Sequence, residues 1–430
     1  MRMGTAILTL LVLTADPYSD AVTAALADSA KFSPVGASQV RYVLALTEDD
    51  LPATSFTLAS VSRTRVIHQP RVIGNGVLRI QLGHLYGTDG KAAKEILAAW
   101  EQLNEGYFPA SPQLQSLQRA CHTAYPILRA DAFVAQVAGE SEHYYAFAGV
   151  PAKQTDFYKS LGLVVSEVER VRAELNANLF ISKVTGKPRR IVHYLAPFGS
   201  VFVTQDEAKE KTGNSPLVPA VVGPGYKFQF DAQEIFALKS NGTWLTALYD
   251  AKGNRQAAVP ADIATDTLGH LGHGEIVPLV SCLRCHESGG SAGLRGFKDA
   301  QVIIPSVGDR DEIQKLQDAH DADRLTDSMT AAGITNIKAV ARVTQGMVRE
   351  TNHVRSMIPQ EATDALTDVY ERFTGSVDLA QGAKEKAVDE EQFRAMLATS
   401  QATGAFGLLS GESITRKQFE EVWATLPQVP

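Results

Sequence analysis

Cysteine is scarce in this 430-residue sequence. Only Cys121, Cys282 and Cys285 are present, which excludes a fold held together by a network of disulfides. Long hydrophobic runs are also missing, and no segment approaches the roughly 20 apolar residues that a membrane-spanning helix needs. The 41 basic residues are scattered among 48 acidic ones, so no basic stripe is available for a phosphate backbone. We therefore expect neither a transmembrane span nor nucleic-acid binding.

The familiar motifs of nucleotide-binding and hydrolytic enzymes are absent as well. The sequence has no Rossmann glycine pattern, no P-loop and no metallohydrolase signature. It has no repeat of fixed period. Its composition is that of a globular protein, because 44% of the residues are hydrophobic and 21% are charged. The length is sufficient for two or three domains.

The N-terminus has the pattern of a secretory signal peptide over residues 1–15. Arg2 precedes an apolar run at residues 6–13, and the small residue Ala15 follows it. Ala25-Leu26-Ala27 offers a second small-residue pattern for cleavage, but it lies far from the apolar run. An N-terminal strand or core helix is the competing interpretation. The pattern predicts that the protein is exported.

Hydrophobic periodicity predicts an α+β fold whose character changes along the chain. Residues 32–190 have a mixed α/β pattern, and residues 191–290 are strand-rich. Residues 291–430 are mainly helical. The cysteine pair lies where the strand-rich region meets the helical one.

Several individual elements can be predicted from local patterns. Residues 76–82 alternate as a half-buried strand, and residues 41–46 begin either a helix or a strand. Asn241-Gly242 between two apolar runs indicates a β-hairpin. Thr415 and Gln418 form a capping box that starts the last helix. The other predicted helices cover residues 90–104, 152–177, 310–331, 334–349, 360–373 and 390–398.

The segment Cys282-Leu283-Arg284-Cys285-His286 has the pattern of a c-type haem attachment motif. Each cysteine thiol can add to one vinyl group, and the two-residue spacer presents both sulfurs to one edge of the porphyrin. The adjacent His286 then lies beneath the iron as its proximal ligand. The motif predicts one covalently bound haem c. It also supports export, since this haem is normally attached outside the cytoplasm.

Two other interpretations of the cysteine pair remain open. A thioredoxin-like dithiol would need the cysteines at the start of a helix after a strand, and residues 277–280 could form that strand. A zinc site would need further ligands, which His270 or His273 could supply. Cys121 stands outside the motif and is predicted to be a buried free thiol.

The distal ligand of the iron decides what such a haem does. A methionine suits electron transfer, a second histidine lowers the potential, and an empty position permits ligand binding or peroxide chemistry. Met347 and His273 are the leading candidates. Met329 and Met357 also lie downstream of the motif, where they could equally fill a hydrophobic core.

The pattern beyond the motif resembles a family of exported, monohaem cytochrome-c-domain proteins of planctomycete-type bacteria. The resemblance covers about residues 35–425. Its most specific piece runs from Glu234 to Arg255 and leads to the cysteine motif. Lys239-Ser240 replaces a proline that is usual before the hairpin turn, and Leu283 replaces a methionine common in the motif. Shorter similar segments are residues 71–82, 130–134 and 156–162. The resemblance implies haem attachment and export, but no reaction.

The sequence therefore predicts a periplasmic monohaem cytochrome that transfers electrons to or from a redox partner protein. A haem-dependent oxidoreductase or peroxidase-like enzyme is the alternative, because about 280 residues precede the motif and a carrier needs fewer. A haem-based redox or gas sensor is a third hypothesis. A two-haem peroxidase is disfavoured, since a second such motif is absent.

Overall fold

The computed structural model describes residues 16–104, 106–163, 175–179, 189–208, 229–265, 275–282, 322–343 and 360–427. It confirms an α+β fold and divides the chain into two compact units. Unit 1 contains Met1–Leu58, His68–Gln136 and Asp368–Pro430, and unit 2 contains Ala59–Ile67 and Val137–Thr367. The predicted regions follow the order of the chain, whereas unit 1 joins segments from both of its ends.

Unit 1 is built from a four-stranded sheet and many helices. Its strands are β1 (Val40–Leu44), β2 (Arg71–Gly74), β3 (Val77–Gln81) and β4 (Ile127–Arg129). Its helices are α1 (Pro17–Ser29), α2 (Pro34–Ser38), α3 (Asp50–Val61), α4 (Gly83–Tyr86), α5 (Gly90–Trp100), α6 (Pro112–Cys121), α7 (Ala130–Gly139), α11 (Gln360–Thr374), α12 (Leu379–Lys386), α13 (Glu390–Leu397), α14 (Thr403–Ser410) and α15 (Arg416–Trp423). The chain passes from unit 1 to unit 2 within α3 and α7, and it returns to unit 1 between Ile67 and His68 and within α11.

Unit 2 is built around a five-stranded antiparallel sheet, in the order β5-β6-β7-β8-β9. The strands are β5 (Leu175–Leu179), β6 (Arg189–Ala196), β7 (Gly199–Asp206), β8 (Ala232–Leu238) and β9 (Trp244–Asp250). The helices are α8 (Ser141–Ala148), α9 (Gln154–Ser160) and α10 (Ala322–Val343). This sheet confirms the predicted strand-rich character of the middle of the chain. Between them, the two units show no described helix that is both long and apolar enough to cross a membrane.

The turn between β2 and β3 explains the strand predicted at residues 76–82. Asn75 and Gly76 both adopt left-handed φ values, 49° and 71°, as a tight hairpin requires. A Cβ on Gly76 would lie 2.6 Å from the carbonyl oxygen of Ala45, so only glycine fits. β3 pairs antiparallel with β1, which shows that residues 41–44 form a strand rather than a helix.

Side-chain caps explain where several helices begin. The predicted capping box is confirmed at α15, where Thr415 and Gln418 bond each other's backbone N–H groups. The predicted helix at 90–104 is confirmed as α5, and Trp100 at its end is fully buried. The indole N–H of Trp100 donates to the carbonyl oxygen of Tyr125 at 2.7 Å. The other side-chain N-caps are Asp16, Ser33, Asp89, Ser111, Asp378 and Asp389.

The helix predicted over residues 152–177 is wrong over most of its described part. α9 covers only Gln154–Ser160, and residues 175–179 form strand β5. Residues 164–174 lie outside the described part of the chain. The helical spacing of apolar residues therefore extended the prediction beyond the true end of the helix.

A Schellman motif ends α9. Gly162 has φ 74° and donates its N–H to the carbonyl oxygen of Lys159, and Leu163 donates to that of Tyr158. Both distances are 2.9 Å. Gly162 thus indicated the end of the helix, but the prediction followed the apolar periodicity beyond it.

The C-terminal helices differ from the prediction in two ways. α10 runs without a break through residues 332–333, where two separate helices were predicted. A glycine inside a helix costs only about 1 kcal/mol, so Gly333 is tolerated within α10. The buried side chains of Ala332, Asn336 and Ala339 lie on one face of α10, and their burial stabilises the continuous helix. α12 and α14 were not predicted, whereas the helices at 360–373 and 390–398 are confirmed.

Candidate functional site

The segment that leads into the cysteine motif is anchored against the sheet of unit 2. Ile276 forms an antiparallel bridge with Val259, whose N–H donates to the Ile276 carbonyl oxygen at 3.1 Å. Burial of Ile276 beside the first residue of β8 adds an apolar contact. The cluster consists of Ala232, Ile263, Ala264 and Ile276. Residues 275–282 are therefore held by the fold up to the first cysteine.

A turn at Leu279 orients the residues just before Cys282. Leu279 has φ 69°, a left-handed conformation that is uncommon for a side chain of this size and costs about 1–3 kcal/mol. Its side chain is fully buried, and its N–H donates to the hydroxyl of Thr246 at 3.0 Å. The hydroxyl of Ser281 accepts from the N–H of Val277 at 3.0 Å. These contacts hold the strained turn from which residues 280–282 start a helical turn.

Cys282 is a buried thiol beside a carboxylate. Only 2% of its surface is exposed, and its sulfur lies 3.2 Å from a carboxylate oxygen of Glu234 in β8. The thiol is the donor in this contact, because a carboxylate can only accept. Strand β8 therefore supplies a hydrogen-bond acceptor to the first cysteine of the motif.

The hydroxyl groups of two α8 tyrosines accept hydrogen bonds from strand β9. The Tyr144 hydroxyl accepts from the N–H of Thr246 at 3.0 Å, and the Tyr145 hydroxyl accepts from that of Leu248 at 3.2 Å. Burial raises the pKa of Tyr144 to about 12, although its bonds with Thr246 oppose the shift. Burial raises the pKa of Tyr145 as well. Among the described residues, the polar groups near Cys282 include these two hydroxyls and the Glu234 carboxylate.

The structure places only part of the predicted haem site. Cys282 lies in the described residues, whereas Cys285 and His286 lie outside them. The distal candidates Met347 and His273 are also outside, as are His270, Met357 and the predicted signal peptide at 1–15. Met329 lies in α10, but its side chain is not described. The positions of the axial ligands therefore stay predictions.

The described residues bear on the two alternatives to haem. A thioredoxin-like dithiol needs a strand at residues 277–280. In the structure this segment forms a turn and ends in a helical residue, so the predicted strand is not found. Among the described residues, no group of three or more His, Cys, Asp or Glu side chains could hold a metal ion. The zinc candidates His270 and His273 lie outside that search.

Glu234 is the site residue that sequence reasoning missed. It belongs to the hairpin segment that carries the family resemblance, but no role was predicted for it. The only local signal was a charged residue in an otherwise apolar strand, next to Ile235 and Phe236. Its contact with Cys282 spans 48 residues of sequence, so no spacing rule reveals it.

Comparisons with protein-family models, with curated proteins and with solved structures found no match to this chain. The resemblance to exported cytochrome-c-domain proteins therefore stays a prediction. The chemistry of the cysteine motif carries the functional argument alone.

Proposed function

We propose that the protein is a monohaem c-type cytochrome of the periplasm that transfers electrons. The motif Cys282-Leu283-Arg284-Cys285-His286 is the observation that carries this proposal. Cys282 and Cys285 would hold the haem through two thioethers, and His286 would be the proximal ligand. A bound haem supplies an iron centre that accepts and releases one electron.

The donor set fits a covalent haem, judged by its chemistry. Thioether formation needs thiols, and Cys282 carries a thiol that donates to Glu234. Cys282 and Cys285 would each hold the haem through a thioether, a net addition of the thiol to the cofactor that would consume no oxidant. Glu234 accepts a hydrogen bond from the Cys282 thiol, so it can orient the sulfur.

Electron transfer is favoured over catalysis by what accompanies the motif. The sequence has one haem motif and no signature of a second cofactor, which is what a simple carrier needs. Such a carrier would exchange electrons with a redox partner protein. Met347 or His273 would be the distal ligand in this proposal. A haem-dependent oxidoreductase or a haem-based sensor is the alternative, and each would need an open or easily displaced distal position.

Covalent attachment can be tested on the full-length protein, expressed with export and haem-maturation machinery. We expect a pyridine haemochrome assay to give one haem per chain that resists acid-acetone extraction. The double change Cys282→Ala with Cys285→Ala should abolish it, because no thiol is then left in the motif. Cys121→Ala is the matched control and should keep the full haem content. A wild-type protein without covalent haem would overturn the proposal.

The absorption spectrum of the same protein separates the three functions. A low-spin oxidised spectrum with the red charge-transfer band of methionine ligation would support electron transfer, and Met347→Leu should remove that band if Met347 is the ligand. Low-spin histidine ligation that His273→Ala converts to high spin would identify His273. A high-spin wild-type spectrum would instead favour the enzyme or the sensor.

A further inference from the structure

Unit 1 contains a cavity of about 260 Å³ that the haem proposal does not use. Its walls come from the start of α1, from the loop before α6 and from the ends of α12 and α15. The residues around it are Asp16, Tyr18, Gly106, Tyr107, Phe108, Pro109, Ala110, Lys386, Trp423, Ala424 and Leu426. All of them belong to unit 1, so the cavity is a feature of one compact unit.

Aromatic rings form the rigid part of the cavity. The ring of Tyr18 lies 5.3 Å from that of Phe108 and 5.4 Å from that of Trp423, and Tyr107 lies 4.9 Å from Trp423, all edge to face. The Tyr18 hydroxyl donates to the Glu385 carbonyl oxygen at 2.8 Å. The Trp423 indole N–H donates to the Tyr107 carbonyl oxygen at 3.2 Å. Since these polar tips are already bonded, Tyr18 and Trp423 can offer a ligand only their ring atoms, while the rest of the accessible lining of the cavity is largely polar.

Lys386 brings a positive charge into this aromatic surrounding. The residue is only 7% exposed, and its ammonium lies 4.4 Å from the centre of the Trp423 ring. Burial lowers the pKa of Lys386, and Asp16 opposes the shift. Within the described part of the chain, no acceptor forms a hydrogen bond with this ammonium. A nearly buried cation with three unused donors carries a free-energy cost that a bound anion would offset.

Asp16 does not serve as that anion. Its carboxylate caps α1, where it accepts from the N–H of Tyr18 at 3.1 Å and from the hydroxyl of Ser19. Asp16 acts on Lys386 only as a charge at a distance, since the two do not form an ion pair. The donors of Lys386 are therefore available to a ligand.

We propose that this cavity binds a small aromatic monocarboxylate, with the carboxylate on Lys386 and the ring against Tyr18 and Phe108. The volume is sufficient, because a cavity of about 150 Å³ accommodates benzene and this cavity is larger. One ammonium matches one negative charge. The proposal is independent of the haem and its motif.

Benzoate is a suitable probe, and benzamide is its neutral counterpart of nearly the same shape. By isothermal titration calorimetry we expect saturable binding of benzoate at one site, at least about tenfold tighter than benzamide, because a charge-assisted hydrogen bond distinguishes them. Lys386→Met should remove this preference. Lys384→Met is the matched control, since Lys384 is exposed on the same helix, and should retain it. Absence of saturable benzoate binding, or equal affinity for benzamide in the wild type, would overturn the proposal.

A second measurement needs no variant and decides the matter if Lys386→Met fails to fold. Lysines of the native protein are acetylated briefly, with and without saturating benzoate, and quantified by peptide mass spectrometry. We expect benzoate to protect Lys386 several-fold and to leave Lys384 unchanged. Equal acetylation of Lys386 in both samples would show that no carboxylate covers it.

Discussion

The two units bury polar groups in different ways. Unit 1 pairs charged side chains with one another: Arg129 donates to both Asp131 and Glu385, and Arg416 donates to both oxygens of Glu385. Unit 2 instead bonds side chains to backbone. The ammonium of Lys239 donates to the carbonyl oxygens of Ala59, Ser60 and Ser62 at 2.6–3.1 Å.

The two kinds of polar contact also differ in how far apart the contacting residues lie in the sequence. Glu385 and Arg129 are 256 residues apart, so the cluster ties unit 1 together across the length of the chain. Lys239, Asn241 and Thr243 belong to one hairpin loop, and all three donate to the carbonyl oxygen of Ala59 near the end of α3. They satisfy carbonyl groups that a helix end leaves without partners. Unit 1 therefore depends on charge pairing and unit 2 on backbone capping.

The largest expected effect comes from removing the charge that joins the cluster in unit 1. Glu385→Gln leaves Arg129 and Arg416 buried without their shared carboxylate, which costs about 3–5 kcal/mol of unfolding free energy. Hydrogen exchange should show lost protection in α12 and α15 while the β8–β9 hairpin stays protected. Glu391→Gln, at an exposed glutamate of α13, is the control and should change little. Equal loss in the hairpin would show that the two units do not open separately.

The same carboxylate predicts a pH dependence. Burial alone would raise the pKa of Glu385, but Arg129 and Arg416 outweigh it and hold the pKa at about 2 instead of 4.5. A lowered folded-state pKa means that the stabilisation is present above pH 4.5 and is lost as the pH falls towards 2. The stability difference between wild type and Glu385→Gln should shrink over that range in urea titrations.

A smaller effect is expected from the capping lysine of unit 2. Lys239→Met removes three hydrogen bonds to the end of α3 and should cost about 1–3 kcal/mol. The loss is partly offset, because burial and the nearby Arg63 lower the pKa of Lys239 to about 7 and so penalise its charge. Hydrogen exchange should now report loss in the hairpin rather than in α12. Lys252→Met, at an exposed lysine in the next turn, should leave exchange unchanged. Protection kept in the hairpin of Lys239→Met would contradict the capping role.

The smallest effect concerns Cys121 in unit 1, whose predicted burial as a free thiol is confirmed. Burial raises its pKa to about 11, against the opposing charge of Arg41. The folded chain keeps this proton where the unfolded chain releases it, so stabilisation present below pH 9 should decline as the pH rises to 11. In the Cys282→Ala, Cys285→Ala background, native protein at pH 8 should resist iodoacetamide at Cys121. Rapid alkylation under those conditions would contradict its burial.

Features encoded by neighbouring residues could be predicted from the sequence. The hairpin at Asn241-Gly242, the strand after Asn75 and the capping box at Thr415 each depend on a few adjacent residues, and the structure confirms them. The end of α9 at Gly162 was equally local and was overlooked in favour of periodicity. Turn, capping and glycine residues thus predict individual helices and strands well when they are considered together with periodicity.

Contacts between distant residues could not be predicted. Arg129 and Glu385 look like ordinary surface charges in the sequence, because pairing across 256 residues leaves no periodic pattern. The same limit applies to the candidate site. The cysteine motif was recognised from its spacing, whereas the contact of Glu234 with Cys282 exists only in the folded sheet.

The pairing of Arg129 with Glu385 also sets an order of assembly. During synthesis Arg129 emerges long before Glu385 and Arg416, so we expect unit 1 to complete this cluster only when the last part of the chain is available. The hairpin of unit 2 has all its paired strands by Asp250. A chain cut before Asp368 would keep Arg129 but lose two of the groups that complete its cluster. The segment Asp368–Pro430 is therefore needed to complete the fold of unit 1.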